Sequence, residues 1–261
     1  MGFKQYEIDD IFKLKYEKKL KKDLNRLYKI IIDDAVNYYS NNGRSKDLKD
    51  YQLQISSIML INWIEIRNKF MIIINKMLVG TDTNKLLNNI ANNSFNNYTY
   101  KNILQRIQNE TIQLNTIGMQ NIVNQTSIYT TNTNNKKFEE LSFLGLSVEL
   151  FRKKLTDSYK NRIPTIATTF TQIASEKTKS DYTKLINNTI SKELPQKQLT
   201  KTWVTKEDDH VREAHVLANG QTVNISDFYV VWDELLEIPG DTRYSSIQNT
   251  IKCRCSSIVN F

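Results

Sequence analysis

Apolar residues spaced three and four apart run through most of the first two hundred residues, and this spacing commits that part of the chain to helices. Residues 7–40 set the pattern. Leu20, Leu24, Leu27, Ile31, Ala35 and Tyr38 fall on one helical face, while Lys18, Lys19, Lys21 and Lys22 fill the other. Asn41-Asn42-Gly43 ends the run, because glycine takes the left-handed position after a helix at little cost. A second helix is expected from Leu48 to Val79, closing at Gly80. Apolar residues nearly encircle it between Ile55 and Ile66, which predicts the buried helix of a bundle. Shorter helices are expected over 83–91 and 100–122. Residues 124–137, rich in Thr and Asn and without periodicity, read as a polar loop or hinge. Helical pattern resumes at 138–144, 147–162, 163–176 and 180–194, with Ser147 as a helix start, Pro164 at a junction and Pro195 as a stop. The N-terminal helical region, 1–123, is expected to be elongated.

The pattern changes at Lys201. Lys201–Val204, Thr222–Ile225, Phe228–Trp232 and Cys255–Phe261 have strand character, the last as an edge strand, and Asn219-Gly220 is a turn. The fold class is therefore α+β. It is mainly α-helical, with a helical region over 1–123, the hinge over 124–137, a helical segment over 138–200 and a small α+β module over 201–261.

Charge divides along the same line. Residues 201–261 hold 6 Lys/Arg against 9 Asp/Glu, a net −3, so of the chain's +8 an excess of +11 falls on residues 1–200. The helical part thus suits nucleic acid or an acidic protein surface, with Lys18, Lys19, Lys21 and Lys22 as its contacts. The runs Ile58–Ile61 and Met71–Ile74 are far too short to span a bilayer, so no membrane partner is expected.

Both cysteines and both histidines lie after Trp203. Cys253-x-Cys255 with His215 and His210 offers four ligands of the kind zinc takes. The metal set expected is His215, Cys253 and Cys255. The alternatives are no cofactor at all, with two small buried apolar cysteines above a hydrogen-bonded His215, or a reversible disulfide. Arg212 and Arg254 have Asp208, Asp209 and Asp241 as candidate partners, and Arg–carboxylate forks there would staple the module together. A catalytic reading would make His215 a base oriented by Asp208 or Asp241. No serine or cysteine nucleophile is recognisably paired with the histidine, and no phosphate-binding glycine loop occurs in the sequence.

The order of these residues carries a resemblance. Trp203, then Asp208-x-x-Val211-Arg212-x-x-His215, Asn219-Gly220, Phe228, Pro239-Gly240-Asp241 and Ile251-x-Cys253-Arg254-Cys255 together resemble the minor head proteins of tailed phages related to the Mu protein F. Upstream, Arg162–Phe170 is similar to that family's Arg-x-x-x-Ile-Ala-Arg-Thr-Glu segment. Thr168 and Phe170 depart from its Arg and Glu, and Ala218 and Asn219 from its usual Leu and Asp. The likeness spans Ser147 to Phe261.

The resemblance implies a non-enzymatic virion component, assembled in the host cytoplasm and present in several copies. It would sit in the head interior or at the portal vertex, touching the portal or major capsid protein and packaged DNA. There it would assist head assembly, DNA packaging or genome ejection. Trp203, Asp208, Arg212, His215, Gly220, Pro239, Gly240, Asp241 and Arg254 would be its structural motif. The alternatives are a DNA-binding internal or cargo protein and a zinc-dependent hydrolase.

Overall fold

The structure, a computed structural model, describes residues 5–93, 100–193, 195, 197–243 and 245–261. It is mainly α-helical with a small α+β part at the C-terminal side. The elements are α1 (Gln5–Asn42), a 3-10 turn (Lys49–Tyr51), α2 (Gln52–Leu78), α3 (Asp82–Asn93), α4 (Tyr100–Ser142) and α5 (Val148–Glu193). After them come β1 (Thr200–Val204), α6 (Glu213–Ala218), β2 (Thr222–Asn224), β3 (Tyr229–Val231), β4 (Glu234–Leu236), α7 (Ile247–Thr250) and β5 (Ser256–Asn260). The chain forms two compact units, one of residues 14–64 and 118–168, the other of residues 1–13, 65–117 and 169–261. They are called the helical unit and the mixed unit below.

In the helical unit, α1 buries Leu20, Leu24, Leu27, Ile31 and Ala35, as their spacing predicts. The drift of a 3.6-residue turn then brings Tyr39 inward, where Tyr38 was expected. Tyr39 stacks on Phe151 of α5 at 4.0 Å, and Tyr28 meets Tyr159 at 4.3 Å. From α2 come Ile55, Met59 and Trp63, but Ile61 and Ile64 stay exposed, so α2 is not the encircled helix the sequence predicts. Its interior is lined on one side only.

Residues 124–137, expected as a loop or hinge, are helix within α4. Their polar side chains find partners without breaking the backbone ladder. The hydroxyls of Thr126 and Thr133 donate to the carbonyls of Ile122 and Tyr129 one turn back. Buried Asn134 donates to Tyr28 Oη at 3.0 Å and accepts from Arg162 at 2.8 Å. Tertiary hydrogen bonding thus overrides a weak local preference.

The breaks expected in α5 near 163 and 176–180 are likewise absent. Pro164 sits inside the helix and removes one backbone bond, that to the carbonyl of Lys160 on an exposed turn. The expected helix end at Leu194 lies outside the described residues. Ser147 caps α5, its Oγ accepting from the Leu150 amide at 3.3 Å.

The mixed unit contains two small sheets. β1 lies between β2 and β5, antiparallel to both, with Trp203 opposite Ser257. β5 is an edge strand, as expected, and β2 is the other edge. β3 and β4 form a separate hairpin with Val230 opposite Leu235. Leu199 just before β1, Ile225 just after β2 and Val259 of β5 share one apolar core with Ile74 and Leu78 of α2, Ile107 of α4 and Ile186 of α5. Residues 201–261 therefore close over a helical floor.

Candidate functional site

The site is built where the 203–215 segment meets the 251–255 segment. Trp203 on β1 is fully buried, and both His215 and Tyr229 stand edge-on to it, with ring centroids 5.4 and 5.2 Å away. His215 lies on the short helix α6 and turns its Nδ1 toward both cysteines. Nδ1 is 3.3 Å from Cys255 Sγ and 3.8 Å from Cys253 Sγ. All three residues are buried, and their ligand atoms lie within 4.8 Å of one another, so they could hold a metal ion. His215 Nε2 is buried with no hydrogen-bond partner among the described residues. The neighbouring Cys255 S–H pulls the Cys253 thiol down to about 5, against burial and with the help of His215. Cys255 shifts the opposite way, first through its hydrogen bond to Cys253, then through burial and the negative charge beside it.

Around this trio the arginines act as ties. Arg254 grips Asp208 with both guanidinium nitrogens, Nη1 donating to Oδ2 at 2.7 Å and Nη2 to Oδ1. Arg212 Nη2 donates to the carbonyl of Ile251. Asp208, expected as one of several partners, is thus the one Arg254 takes. Asp209 and His210 lie outside the trio: both are exposed, and His210 donates its backbone amide to Asp208 Oδ1 at 3.0 Å.

Gly240 closes the floor. At its φ of +83° a side chain is strained, and an added Cβ would come within 3.1 Å of Gln172 Cγ and 3.8 Å of Cys253 Cβ. Gly220, at φ +80°, donates to the Trp203 carbonyl and turns α6 back toward β1. Pro239 offers its carbonyl to Gln172 Nε2 at 3.3 Å.

Asp241 belongs to a different set than expected. Its partner is Arg243, whose Nε and Nη2 both lie 2.8 Å from it, and its Oδ2 also accepts from the Glu237 amide. Arg243 reaches on to Glu237 Oε2 at 2.5 Å, while Ser180 and Lys184 of α5 donate to Oε1 at 2.9 and 2.6 Å. Burial would raise the Glu237 carboxyl, but Lys177, Lys184 and Arg243 outweigh it and hold it well below the usual range. Lys201 donates to the Glu237 carbonyl at 2.8 Å, and burial, then Lys184, push its ammonium down to about 8.

A second buried charge group underlies β5. Glu176 Oε1 accepts from Lys13 at 2.6 Å and pairs with Lys179 at 2.8 Å, and its Oε2 accepts from the Ser257 amide. Lys179 donates to Asp9 at 2.5 Å and to the Ser257 carbonyl at 3.0 Å, and Lys13 to Ser256 Oγ at 2.9 Å. Gln172 completes the support, donating to the Cys255 carbonyl at 2.6 Å.

Sequence reasoning does not single out Gln172, Glu176, Lys179, Glu237 or Arg243. The signal that could find them is the hydroxyl-rich stretch Thr171, Ser175, Thr178, Ser180 and Thr183, which lets a polar helix be buried on all sides.

The four lysines expected to meet a partner divide. Lys18 and Lys22 are exposed, Lys19 and Lys21 are half-buried, and Lys21 pairs with Glu17 at 2.5 Å. No helix among the described residues is long and apolar enough to cross a membrane. No protein-family model, curated protein or solved structure matches this chain.

Proposed function

We propose that this chain is a structural component of a tailed-phage head, a minor head protein lying at the portal vertex or capsid interior and serving head assembly, packaging or ejection. The observation that carries the reading is convergence. The residues whose order resembles the Mu protein F family meet in space: Asp208 with Arg254, Arg212 with the Ile251 carbonyl, His215 with Cys253 and Cys255, Gly240 beneath Cys253. His215 and both cysteines are at most 2 % exposed, so this cluster supports a fold-holding role and offers no surface to a substrate. Fractionated particles of the encoding phage test it. The chain is expected in heads and in portal complexes, and recovery only in tails, or absence from particles, overturns the reading.

The same cluster is proposed to hold zinc. Tetrahedral zinc, about 2.3 Å from sulfur and about 2.0 Å from nitrogen, sets its ligand atoms about 3.6 Å apart, and the two sulfur–nitrogen separations of 3.3 and 3.8 Å bracket that value. His215 Nδ1 and the two thiolates would be the ligands, and the ion would cross-link α6 to the approach of β5. Purified protein is expected to contain close to one zinc per chain and to lose thermal stability with a chelator. Metal-free protein that melts unchanged in chelator removes zinc without touching the packing.

A further inference from the structure

The exposed face of α1 carries a row of cations that the sequence alone does not separate from its neighbours. Lys15, Lys18, Lys22, Arg26 and Lys29 are all exposed. At 100° per residue they fall within a sector of about 80°, and at 1.5 Å per residue they run for about 21 Å. No carboxylate lies in that sector between the first and the last. Glu17 and Asp23 project to either side, where Glu17 takes Lys21 and Asp23 accepts from Asn62. None of the five is within ion-pair distance of a carboxylate among the described residues.

We infer that this row is a docking face for the phosphate backbone of double-stranded DNA, bound without regard to sequence. Three observations choose that partner. First, the row has no apolar or aromatic anchor between Lys15 and Lys29, whereas protein interfaces are depleted in lysine and organised around such anchors. Second, the aromatics of this stretch, Tyr16 and Tyr28, are buried, so nothing is left on the face for unpaired bases to stack upon. Third, four of the five are lysines, point charges on flexible stems that suit phosphate rather than the fixed edge of a base. A duplex carries one charge per about 1.7 Å of its axis, so a row of about 21 Å faces on the order of a dozen phosphates. The opposite face of α1 is committed to the core, and the apolar residues α1 leaves exposed around the row, Ile11, Leu14 and Ile30, lie beyond its two ends and form no continuous stripe to enter lipid. The inference holds or fails independently of the place of the chain in a virion.

Binding of the full chain to a labelled 30-base-pair duplex of arbitrary sequence tests it, titrated between 50 and 200 mM salt. Five phosphate contacts give a slope of about −4.5 in log affinity against log salt, or about 500-fold weaker binding across that range. The variant Lys15→Gln, Lys18→Gln, Lys22→Gln, Arg26→Gln, Lys29→Gln should lose that contribution while keeping its helical circular dichroism. A control with the same charge change elsewhere on the helical unit, Arg44→Gln, Lys136→Gln, Lys153→Gln, Lys154→Gln, Lys160→Gln, should keep it. The inference is overturned if the row variant binds like the parent or if the control loses as much. It is also overturned if a single strand or polyglutamate competes as well as the duplex.

Discussion

At the heart of the helical unit lie Leu24, Ile31, Met59 and Trp63; at the same depth the mixed unit holds Asp9, Glu176 and Lys179. The first interior is mainly apolar side chains and paired aromatic rings, which pack in many related ways at similar cost, with neutral polar residues such as Asn62 and Asn134 among them. The second depends on particular partners, because a buried charge is tolerated only when its complement and its remaining hydrogen bonds are in place. One unit is therefore specified by pattern, the other by identity. A substitution that preserves hydrophobicity should pass in the first, and one that preserves only volume should fail in the second.

The largest effect that could break this contrast is at Glu176. Glu176→Ala leaves Lys13 and Lys179 with a buried positive charge that has lost its main counterion, and should cost about 3–5 kcal/mol in denaturant unfolding. A loss below about 1 kcal/mol would mean that the charges are incidental. The contrast also has a pH signature. The folded Glu237 carboxyl is held below its unfolded value, so its contribution is complete above about pH 4.3 and is lost as pH falls below that. Glu176 is lowered in the same sense by Lys13 and Lys179, which outweigh burial. Acid should therefore open the mixed unit first, and Glu237→Gln should flatten its response between about pH 5 and 3. Amide exchange resolved by segment would show which unit opens.

Leu24→Ala in the helical unit should cost about 3 kcal/mol, whereas Leu24→Met should cost under about 1.5 kcal/mol. Equal losses would contradict the claim that pattern suffices there. Gly240→Ala, strained at φ +83° and crowding Gln172, should cost about 1–2 kcal/mol and disturb the cysteine pair, which thiol reactivity reports. The smallest effect is expected at Ser147, where Ala removes the cap on α5 and should cost about 1 kcal/mol, with no change in the mixed unit.

The same division governs how much the sequence discloses. The buried face of α1 is legible from periodicity, and β1, β2, β3 and β5 from their strand-forming residues, whereas β4 is not. One expectation fails because polar residues read as solvated. Residues 124–137 read as a loop because Thr and Asn compete locally for backbone bonds, yet Asn134 serves Tyr28 and Arg162 from within a helix. Glu176 and Lys179 carry no periodicity that separates them from solvated charges, yet both lie inside. Within the candidate site, the cluster of His215, Cys253 and Cys255 is legible as a ligand set. The pairing of Asp241 with Arg243 is not, because two arginines elsewhere in the motif are equally good partners on paper.

The bond from Lys13 to Ser256 joins residues 243 positions apart, and it has a consequence for how the protein is made. Every residue of the helical unit lies at or before residue 168, so all of its chain is available while the ribosome is still translating the rest. The mixed unit cannot close at that stage. Its first residues must wait, with Asp9 and Lys13 still in water, until β5 has emerged and can be threaded beside β1. Contacts over such separations are the slow ones to find. A translational stall or nick after residue 168 would thus leave the helical unit with all of its residues and its companion open.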